Sequence, residues 1–535
     1  MEKVHYENFG VLVCCSGNAV MKIECLKSLV DDMQKMGYNL LELCMEDIYK
    51  MDDDPYFGYL RGGYTKAEIR DLEEYAIARG VRVVPCIQTL AHLDKLLKQP
   101  HYAEVVDIGG ILLIDEPKTY ELIEKMFKTM REYFRTDLIN IGMDEAHMVG
   151  LGRYLDKHGY TNRYELLLKH LHRVVEIAKK YGFKPHMWSD MFFRLAYQGD
   201  YYPENPQIGQ EIIDKVPEGV GLCYWDYGEH EIKEDIFEGM FRAHNQFGRE
   251  VWFAGGAWCW NGFAPFNRFS LYSMEPAMRQ AKKYGVKNVL ITLWTDDGNE
   301  CPFAAVLPSL YAIRQYADGN FDEAKIAEGF KATFGVDFYD FMLLDLPNKT
   351  SRNHNFLVRE NASKSLFYND CFLGFEDEPL THVDHIPFGE YAKTLCQAGA
   401  RMGKYQYLFD YLASLCSALE IKAELGIRTR SAYKNGNKAA LRLLVDDYEE
   451  CAKRVEVFGK KFKKIWLGNN KPFGWELQSV RFAGLTARLR DCRERLIAYL
   501  NGEEESIPEL EEEILPYVPE WGLNFNSWRG LISQN

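Results

Sequence analysis

Short apolar runs alternate with longer segments of helical periodicity through roughly the first 300 residues. Eight runs have the length of β-strands and end in polar or aromatic residues, at 9–15, 39–44, 81–87, 137–143, 183–188, 220–225, 250–254 and 287–294. Predicted helices fill the gaps, at 22–36, 66–79, 120–134, 162–181, 231–246 and 271–284. Strands that alternate with helices form right-handed βαβ units, so eight of them predict an α/β fold, a (β/α)8 TIM barrel.

The pattern changes after the predicted barrel. Long charged amphipathic segments at 388–425, 438–466 and 480–500 predict helices. We therefore expect two domains, a (β/α)8 catalytic barrel at 1–320 and a mainly α-helical C-terminal domain at 321–535. An insertion at 90–117 follows the third strand and is predicted to form a loop over the rim of the active site.

Composition and charge narrow the possible functions. The 535 residues are 47% hydrophobic and 27% charged, as in a folded globular protein, and their net charge is -15. An acidic chain has no surplus cations for phosphates, which argues against nucleic acid and anionic membranes as partners. No signal-like N-terminus or long apolar stretch is visible, so we expect a cytoplasmic protein. The 13 cysteines lack metal-site spacing and are interpreted as buried thiols.

Candidate chemistry collects at the ends of the predicted strands, where (β/α)8 enzymes place their active sites. The polar and aromatic side chains at these ends are Gln88, His92, Asp144, Glu145, Trp188, Asp190, Tyr224, Trp225, Asp226, Trp258, Trp260, Trp294, Asp296 and Asp297. Tryptophans stack on the C–H faces of pyranose rings, and carboxylates accept hydrogen bonds from sugar hydroxyls. The set therefore predicts a carbohydrate pocket.

The adjacent pair Asp144–Glu145 is the strongest catalytic candidate. Two carboxylates that flank a glycosidic bond need a separation of roughly 5 to 9.5 Å, which neighbours on one strand end seldom reach. Adjacency favours a division of labour in which the 2-acetamido group of the substrate is the nucleophile. Asp144 would hold its N–H, and Glu145 would protonate the leaving oxygen. Three other pairs compete, Glu46–Asp47, Asp115–Glu116 and Asp296–Asp297, of which the first also follows a strand.

A metal-dependent hydrolase is the alternative that the histidines raise. His170 and His172 form one close pair, and His382 and His385 form the other. Both pairs are interpreted as surface or core histidines, so we expect neither a metal nor another cofactor.

At these residues the sequence resembles glycoside hydrolase family 20, the β-N-acetylhexosaminidases, and in particular a compact bacterial subgroup without the N-terminal α/β domain. The motifs are MEDIYKMDDDPYFGYLRGGYT, VPCIQTLAHL, IGMDEAHMVGLGRYL, LCYWDY, LWTDDGNECPFAAVLPSL and, in the helical part, NKPFGWELQSVRFAGLTARL. The resemblance implies an exo-acting retaining enzyme that forms an oxazolinium intermediate. Its substrate would be a glycan or oligosaccharide ending in β-linked N-acetylglucosamine or N-acetylgalactosamine. It also implies a possible homodimer through the helical C-terminal region.

The resemblance assigns roles residue by residue. Asp144 matches the acetamido-orienting aspartate and Glu145 the acid/base. Tyr224 matches the tyrosine that hydrogen-bonds the acetamido oxygen, with Tyr227 as an alternative. The substrate-binding residues that it and the strand ends imply are His92, Trp188, Asp226, Trp258, Trp294 and Asp296.

One departure from the family pattern bears on specificity. The family's first strand ends in an arginine that binds the hydroxyls far from the scissile bond, and Gly17 stands in its place here. Arg61 or another basic side chain could fill the gap. The loss of a bidentate clamp leaves open a glycosidase specific for N-acetylgalactosamine or a modified hexosamine, and also a non-catalytic sugar-binding barrel.

Overall fold

A closed barrel of eight parallel strands forms the centre of the N-terminal part. The structure, a computed structural model, describes residues 6–228, 232–515, 523 and 528. Its strands are β1 (Asn8–Cys14), β2 (Leu40–Cys44), β3 (Arg82–Cys86), β4 (Val106–Ile108), β5 (Ile111–Leu112), β6 (Leu138–Asn140), β7 (Lys184–Trp188), β8 (Gly221–Trp225), β9 (Val251–Gly256) and β10 (Asn288–Leu293). The barrel order is β1-β10-β9-β8-β7-β6-β3-β2, and β4 and β5 form a separate hairpin. The predicted (β/α)8 fold is confirmed, and the insertion at 90–117 contains the hairpin.

Helices alternate with the barrel strands along the chain and make up most of the C-terminal part. In the described residues they are α1 (Ile23–Met36), α2 (Lys66–Ile77), α3 (Asp94–Leu97), α4 (Pro117–Tyr133), α5 (Arg153–His158), α6 (Arg163–Lys180), α7 (Asp190–Ala196), α8 (Gln210–Ile213), α9 (Glu234–Gln246), α10 (Asn267–Lys283), α11 (Leu307–Ala317), α12 (Glu323–Phe334), α13 (Phe338–Met342), α14 (Ala362–Tyr368), α15 (Asp377–Thr381), α16 (Phe388–Gly399), α17 (Gln406–Lys434), α18 (Lys438–Asn469), α19 (Trp475–Asn501) and α20 (Pro508–Glu511). Short 3-10 turns lie at Pro100–Val105, Asp296–Gly298, Phe303–Val306, Leu343–Asn348 and Gly403–Tyr405. The helix predicted at 231–246 starts at Glu231, which lies outside the described residues.

Local signals explain where several helices begin and end. Thr65 caps α2 by accepting a hydrogen bond from the Glu68 backbone N–H, and the Glu68 carboxylate accepts one from the Thr65 backbone N–H. Gly37 ends α1 with a φ of 83°, which glycine adopts without a side-chain clash. The prediction of a single helix at 388–425 was wrong. It is interrupted between α16 and α17, where Gly403 has a φ of 51° that a continuous helix does not allow.

The barrel interior is a packed apolar core with one polar network. Its apolar side chains come from alternate positions of the strands, among them Leu12, Leu40, Val84, Leu138, Trp252 and Leu290. Within it Glu42 is fully buried and accepts hydrogen bonds from Asn140 at 2.9 Å and His186 at 3.0 Å. His186 also stacks on Trp252, with ring centroids 4.2 Å apart. Buried polar groups need such partners, and this network was not visible in the apolar pattern of the sequence.

The chain divides into two compact units. The first comprises Met1–Ala257, Leu271–Trp294 and Leu310–Asp322, and the second comprises Trp258–Ser270, Thr295–Ser309 and Glu323–Asn535. The loops that follow β9 and β10 therefore group with the helical unit, whereas the predicted division at 320 assigned them to the barrel. Within the described ranges, no helix has both the length and the apolar character required to cross a membrane.

Candidate active site

The Asp144–Glu145 pair lies on a strained turn directly after β6. Gly142, Met143 and Glu145 have φ angles of 70°, 74° and 49°, in the left-handed region that side chains other than glycine rarely adopt. A Cβ atom on Gly142 would lie 2.1 Å from Oε1 of Gln88, so both the backbone angle and the space require glycine. Such strain concentrates at functional sites, where the surrounding contacts fix an unusual backbone.

His92 holds the two carboxylates together. Its Nε2 lies 3.2 Å from Oδ2 of Asp144 and 3.4 Å from Oε2 of Glu145. The charge of Asp144 raises the pKa of His92 to about 10 against the opposing effect of burial, so the imidazole is a cation at neutral pH. The predicted His92 therefore lies at the site, where its first contact is with the carboxylates.

Asp144 is fixed in its ionised form. Gln88 Nε2 donates a hydrogen bond to its Oδ1 at 2.8 Å. Burial by itself would raise the pKa of Asp144, but the His92 cation and the hydrogen bond from Gln88 hold it below its ordinary value. Asp144 therefore presents a negative charge in a defined orientation.

Glu145 is the more accessible carboxylate, with 39% of its side chain exposed against 15% for Asp144. Its Oε1 lies 4.0 Å from Nε2 of His147, whose pKa burial lowers to about 4, so that this second histidine is neutral at pH 7. Asp190 accepts a hydrogen bond from the Glu145 backbone N–H at 2.9 Å and one from the indole of Trp225 at 3.2 Å. Burial and the charge of Asp144 raise the pKa of Asp190 to about 7.

Aromatic rings from three strand ends adjoin one another in the barrel unit. The rings of Trp188 and Trp294 lie 6.0 Å apart, and Tyr227 meets Trp294 edge-on at 6.3 Å. Tyr227 also stacks on Trp225, which Asp190 ties to the carboxylate pair. The buried indole N–H of Trp188 has no hydrogen-bond partner among the described residues. Two of the three predicted tryptophans are thus brought together.

Tyr224 lies on the other face of its strand. Its ring contacts Phe241 and His244 of α9, and its hydroxyl donates to Asp226 at 2.5 Å. Alternate residues of a strand point to opposite faces, and Trp225 packs with the barrel interior, so Tyr224 points towards the helices. Asp226 is fully buried and also accepts from the Gly228 backbone. Their placement differs from the predicted contacts with sugar and favours the alternative, Tyr227.

Two predicted substrate-binding residues belong to the second unit. Trp258 is buried there and stacks on Trp260, with ring centroids 4.2 Å apart, while the Arg359 guanidinium lies 5.0 Å from the Trp258 ring. Asp296 is exposed on the 3-10 turn Asp296–Gly298. Its neighbour Asp297 pairs with the buried Lys364 and with Arg481. Of the pair Asp296–Asp297, the second residue is therefore engaged inside the helical unit.

The two other competing carboxylate pairs differ in their contacts. Asp115 pairs with Lys169 at 2.6 Å and Glu116 with Lys157 at 3.4 Å, as expected of charged residues near the surface. In the pair Glu46–Asp47, Asp47 accepts from Arg61, whereas the charge of Glu46 acts on His92. Glu46 has a φ of 47° and lies at the same end of the barrel as Asp144.

The histidines of the metal hypothesis make ordinary contacts. His170 is buried between the Thr89 carbonyl, at 2.8 Å, and the Tyr120 hydroxyl, at 3.2 Å. His382 pairs with Glu378, and His385 with Glu424. Hydrogen-bonded core and surface histidines account for these positions.

Sequence reasoning missed two contributors to the site, His147 and Lys95, and it gave Asp190, a strand-end candidate, no specific role. His147 and Asp190 contact Glu145, and Lys95 lies close enough to Glu46 for their charges to interact. His147 stands two residues after Glu145, which was an available signal. Lys95 lies in the insertion at 90–117, and nothing in its spacing indicates a site.

A (β/α)8 barrel with a carboxylate pair and aromatic rings at the carboxyl ends of its strands has the features expected of a sugar-active barrel. The chain matches the family model of the "Glycosyl hydrolase family 20, catalytic domain" over residues 33–208. It matches the "Glycoside Hydrolase 20C C-terminal domain" over residues 339–527. The chain belongs to glycoside hydrolase family 20.

Relatives and solved structures extend the comparison. Hexosaminidase D of Homo sapiens is 26% identical over 221 residues, which are 38% of this chain and 42% of that protein. A probable beta-hexosaminidase of Arthroderma benhamiae is 25% identical over 210 residues, 35% of this chain and 32% of that protein. Each match spans less than half of the relative's length. The X-ray structure of Flavobacterium johnsoniae chitobiase covers 95% of this chain and 74% of its own, with a TM-score of 0.48 and 16% identity.

Proposed function

We propose that the protein is an exo-acting, retaining β-N-acetylhexosaminidase that uses the 2-acetamido group of its substrate as the nucleophile. It would release terminal β-linked N-acetylglucosamine or N-acetylgalactosamine from a glycan or oligosaccharide. The observation that carries the proposal is the pair Asp144–Glu145, whose carboxylates both lie within 3.4 Å of one cation, His92, at the carboxyl end of the barrel. Carboxylates that share one cation lie on the same side of a pocket, which suits a division of labour in which neither carboxylate attacks the sugar.

The first step assigns each carboxylate one task. The acetamido oxygen attacks the anomeric carbon while the bond to the leaving oxygen breaks, and Glu145 donates its proton to that oxygen. Asp144, held ionised by His92 and Gln88, accepts a hydrogen bond from the acetamido N–H and stabilises the positive charge of the oxazolinium ring. The greater exposure of Glu145 fits contact with the leaving group.

The second step reverses the proton transfer. Water attacks the anomeric carbon, Glu145 takes its proton, and the ring opens to restore the acetamido group. Two inversions at one carbon give net retention. Trp188, Trp294 and Tyr227 would cover the acetamido methyl and the sugar face, which keeps competing water away from the intermediate.

Removal of the acetamido group tests this mechanism directly. We expect aryl 2-acetamido-2-deoxy-β-glucoside or its galacto isomer to be hydrolysed with a kcat/KM at least about 100-fold above that of the aryl β-glucoside, because only the former carries an internal nucleophile. Initial rates with one common aryl leaving group measure the ratio. The relative rates of the gluco and galacto isomers define which hexosamine is preferred. Comparable turnover of the sugar with a plain 2-hydroxyl would contradict the mechanism.

Tyr224 in β8 and Tyr227 just after it offer a matched pair of variants. Tyr227→Phe removes the hydroxyl beside Trp294, and we expect kcat to fall by roughly 10- to 100-fold through the loss of a hydrogen bond to the acetamido oxygen. Tyr224→Phe removes the hydroxyl bound to Asp226 behind the strand and should lower thermal stability with a smaller effect on kcat. Steady-state kinetics and thermal unfolding of both variants make the comparison. The reverse ranking in kcat would restore Tyr224 to the role.

A further inference from the structure

The end of β1, where the family arginine is missing, is occupied by two cations from other loops. Arg61 and Lys95 both donate a hydrogen bond to the Ser16 carbonyl, at 2.9 and 2.6 Å. Ser16 lies two residues past Cys14, which pairs with Cys44 of β2, and Glu46 lies two residues past Cys44. The Cys15 N–H continues this ladder to the Cys44 carbonyl. Ser16 and Glu46 are therefore at the same height on neighbouring strand ends.

Arg61 is already committed to the protein. Its Nη1 donates to Asn18, its Nη2 to Ser16 and Asp47, and its Nε to Asp47. These bonds tie the end of β1 to the end of β2. All three guanidinium nitrogens are engaged, so Arg61 braces the turn and has little capacity left for a ligand.

Lys95 and Glu46 retain that capacity. Among the described residues, the Ser16 carbonyl is the one hydrogen-bond acceptor of the Lys95 ammonium, which carries three donors. Glu46 has neither a hydrogen bond nor an ion pair with any residue in the described part of the chain. Yet the charges of Lys95 and His92 both act on it, and burial raises its pKa to about 7. Glu46 is partly buried and makes no hydrogen bond within the described residues, so it has its full capacity left for a ligand that donates to it.

We propose that Glu46 and Lys95 form the recognition pair for the hydroxyls of the terminal sugar that are remote from its glycosidic bond. The inference rests on the proposed function for its ligand, an N-acetylhexosamine. A hydroxyl group both donates and accepts, so a carboxylate and an ammonium can bind two neighbouring hydroxyls of a pyranose. His92 contacts the catalytic carboxylates, and the charge of Glu46 also acts on it, so the pair adjoins the catalytic carboxylates without contacting them.

The pair gives the Gly17 gap a specific consequence. An arginine fork offers two parallel donors, whereas Glu46 and Lys95 offer one acceptor and one donor group. Recognition then depends on the direction of each hydroxyl, and an anionic substituent on the hydroxyl that faces Glu46 would meet its carboxylate. The pocket therefore selects a free hydroxyl at that position.

Binding of the free sugar tests the inference separately from turnover. Isothermal titration calorimetry with N-acetylglucosamine and its 3-deoxy, 4-deoxy and 6-deoxy analogues would be run on wild type, Lys95→Met, Glu46→Gln and the control Lys98→Met. Lys98 is an exposed lysine next to α3. We expect Lys95→Met to weaken the binding of N-acetylglucosamine by about 10- to 100-fold, as for the loss of a charged hydrogen bond. The analogue that lacks the contacted hydroxyl should bind wild type and Lys95→Met equally.

The outcomes separate the two proposals. Equal losses for Lys95→Met on all four sugars, no loss beyond that of Lys98→Met, or no sugar binding by wild type would overturn the inference. Lys95→Arg keeps the charge and should recover part of the affinity, and Glu46→Gln should repeat the hydroxyl-selective loss if Lys95→Met does not fold. Hydroxyl-selective binding without turnover of any 2-acetamido glycoside would leave the inference standing and refute the proposed function.

Discussion

Glu145→Gln is expected to lower kcat/KM by about 10² to 10⁴ for substrates with sugar or alkyl leaving groups, the range that general acid–base catalysis supplies. A glutamine at this position fits the same space between His92 and His147 but has no acidic proton to transfer to the leaving oxygen. Activated aryl glycosides, whose leaving oxygen needs no proton, should lose far less in their first step. A Brønsted plot of kcat/KM against leaving-group pKa measures the effect and should steepen in the variant.

Two glutamate variants control for this result. Glu116→Gln changes the second residue of another Asp–Glu pair, one that binds Lys157, and should leave the kinetics unchanged. Glu46→Gln should lower kcat/KM for all substrates by a similar factor, because its proposed contacts are to the sugar and not to the leaving group. A steeper Brønsted slope in Glu46→Gln, with none in Glu145→Gln, would transfer the acid role to Glu46.

Asp144→Asn should reduce kcat by about 10³ whatever the leaving group, since a preorganised charge at the reacting centre is lost. The amide no longer stabilises the positive oxazolinium ring, and His92 loses the partner that chiefly raises its pKa. Kinetics on aryl glycosides of graded leaving-group pKa should show a parallel downward shift. A bicyclic thiazoline analogue of the oxazolinium ring should also bind the variant far more weakly than wild type.

Asp115→Asn is the matched control for Asp144→Asn. Asp115 precedes a glutamate in the same way and has a left-handed φ of 65°, but it pairs with Lys169 at the surface. We expect unchanged kcat and at most a small loss of stability. A mild defect in Asp144→Asn, similar in size to that of Asp115→Asn, would mean that Asp144 has no part in the chemistry.

The sequence located the catalytic candidates because a barrel strand and the residues that follow it are adjacent along the chain. Strand-length apolar runs identified β6, and the residues that follow a barrel strand mark its functional end, which singled out Asp144 and Glu145. The choice between Tyr224 and Tyr227 could not be made in this way. Parallel barrel strands are buried on both faces, so their residues show no alternation that would tell which face a side chain occupies.

Contacts between segments that are distant along the chain could not be predicted from the sequence either. Glu46 follows β2, whereas His92 and Lys95 lie in the insertion after β3, and the separation of these two segments along the chain carries no information about their distance in space. The same holds for the Glu42–His186 network in the barrel, whose members lie within apolar runs. Only closure of the barrel brings these groups together.

The sequence by itself determined the (β/α)8 barrel, the helical C-terminal part and the adjacent carboxylates, because hydrophobic periodicity and chain order are local properties. The tertiary structure placed the Tyr227 ring beside Trp294 and the Tyr224 ring against α9. It also engaged Arg61 at the end of β1, next to Gly17, while Lys95 keeps donors free. These depend on side-chain direction and on the remaining hydrogen-bond capacity of each group. Neither quantity exists until the strands are paired and the loops are packed.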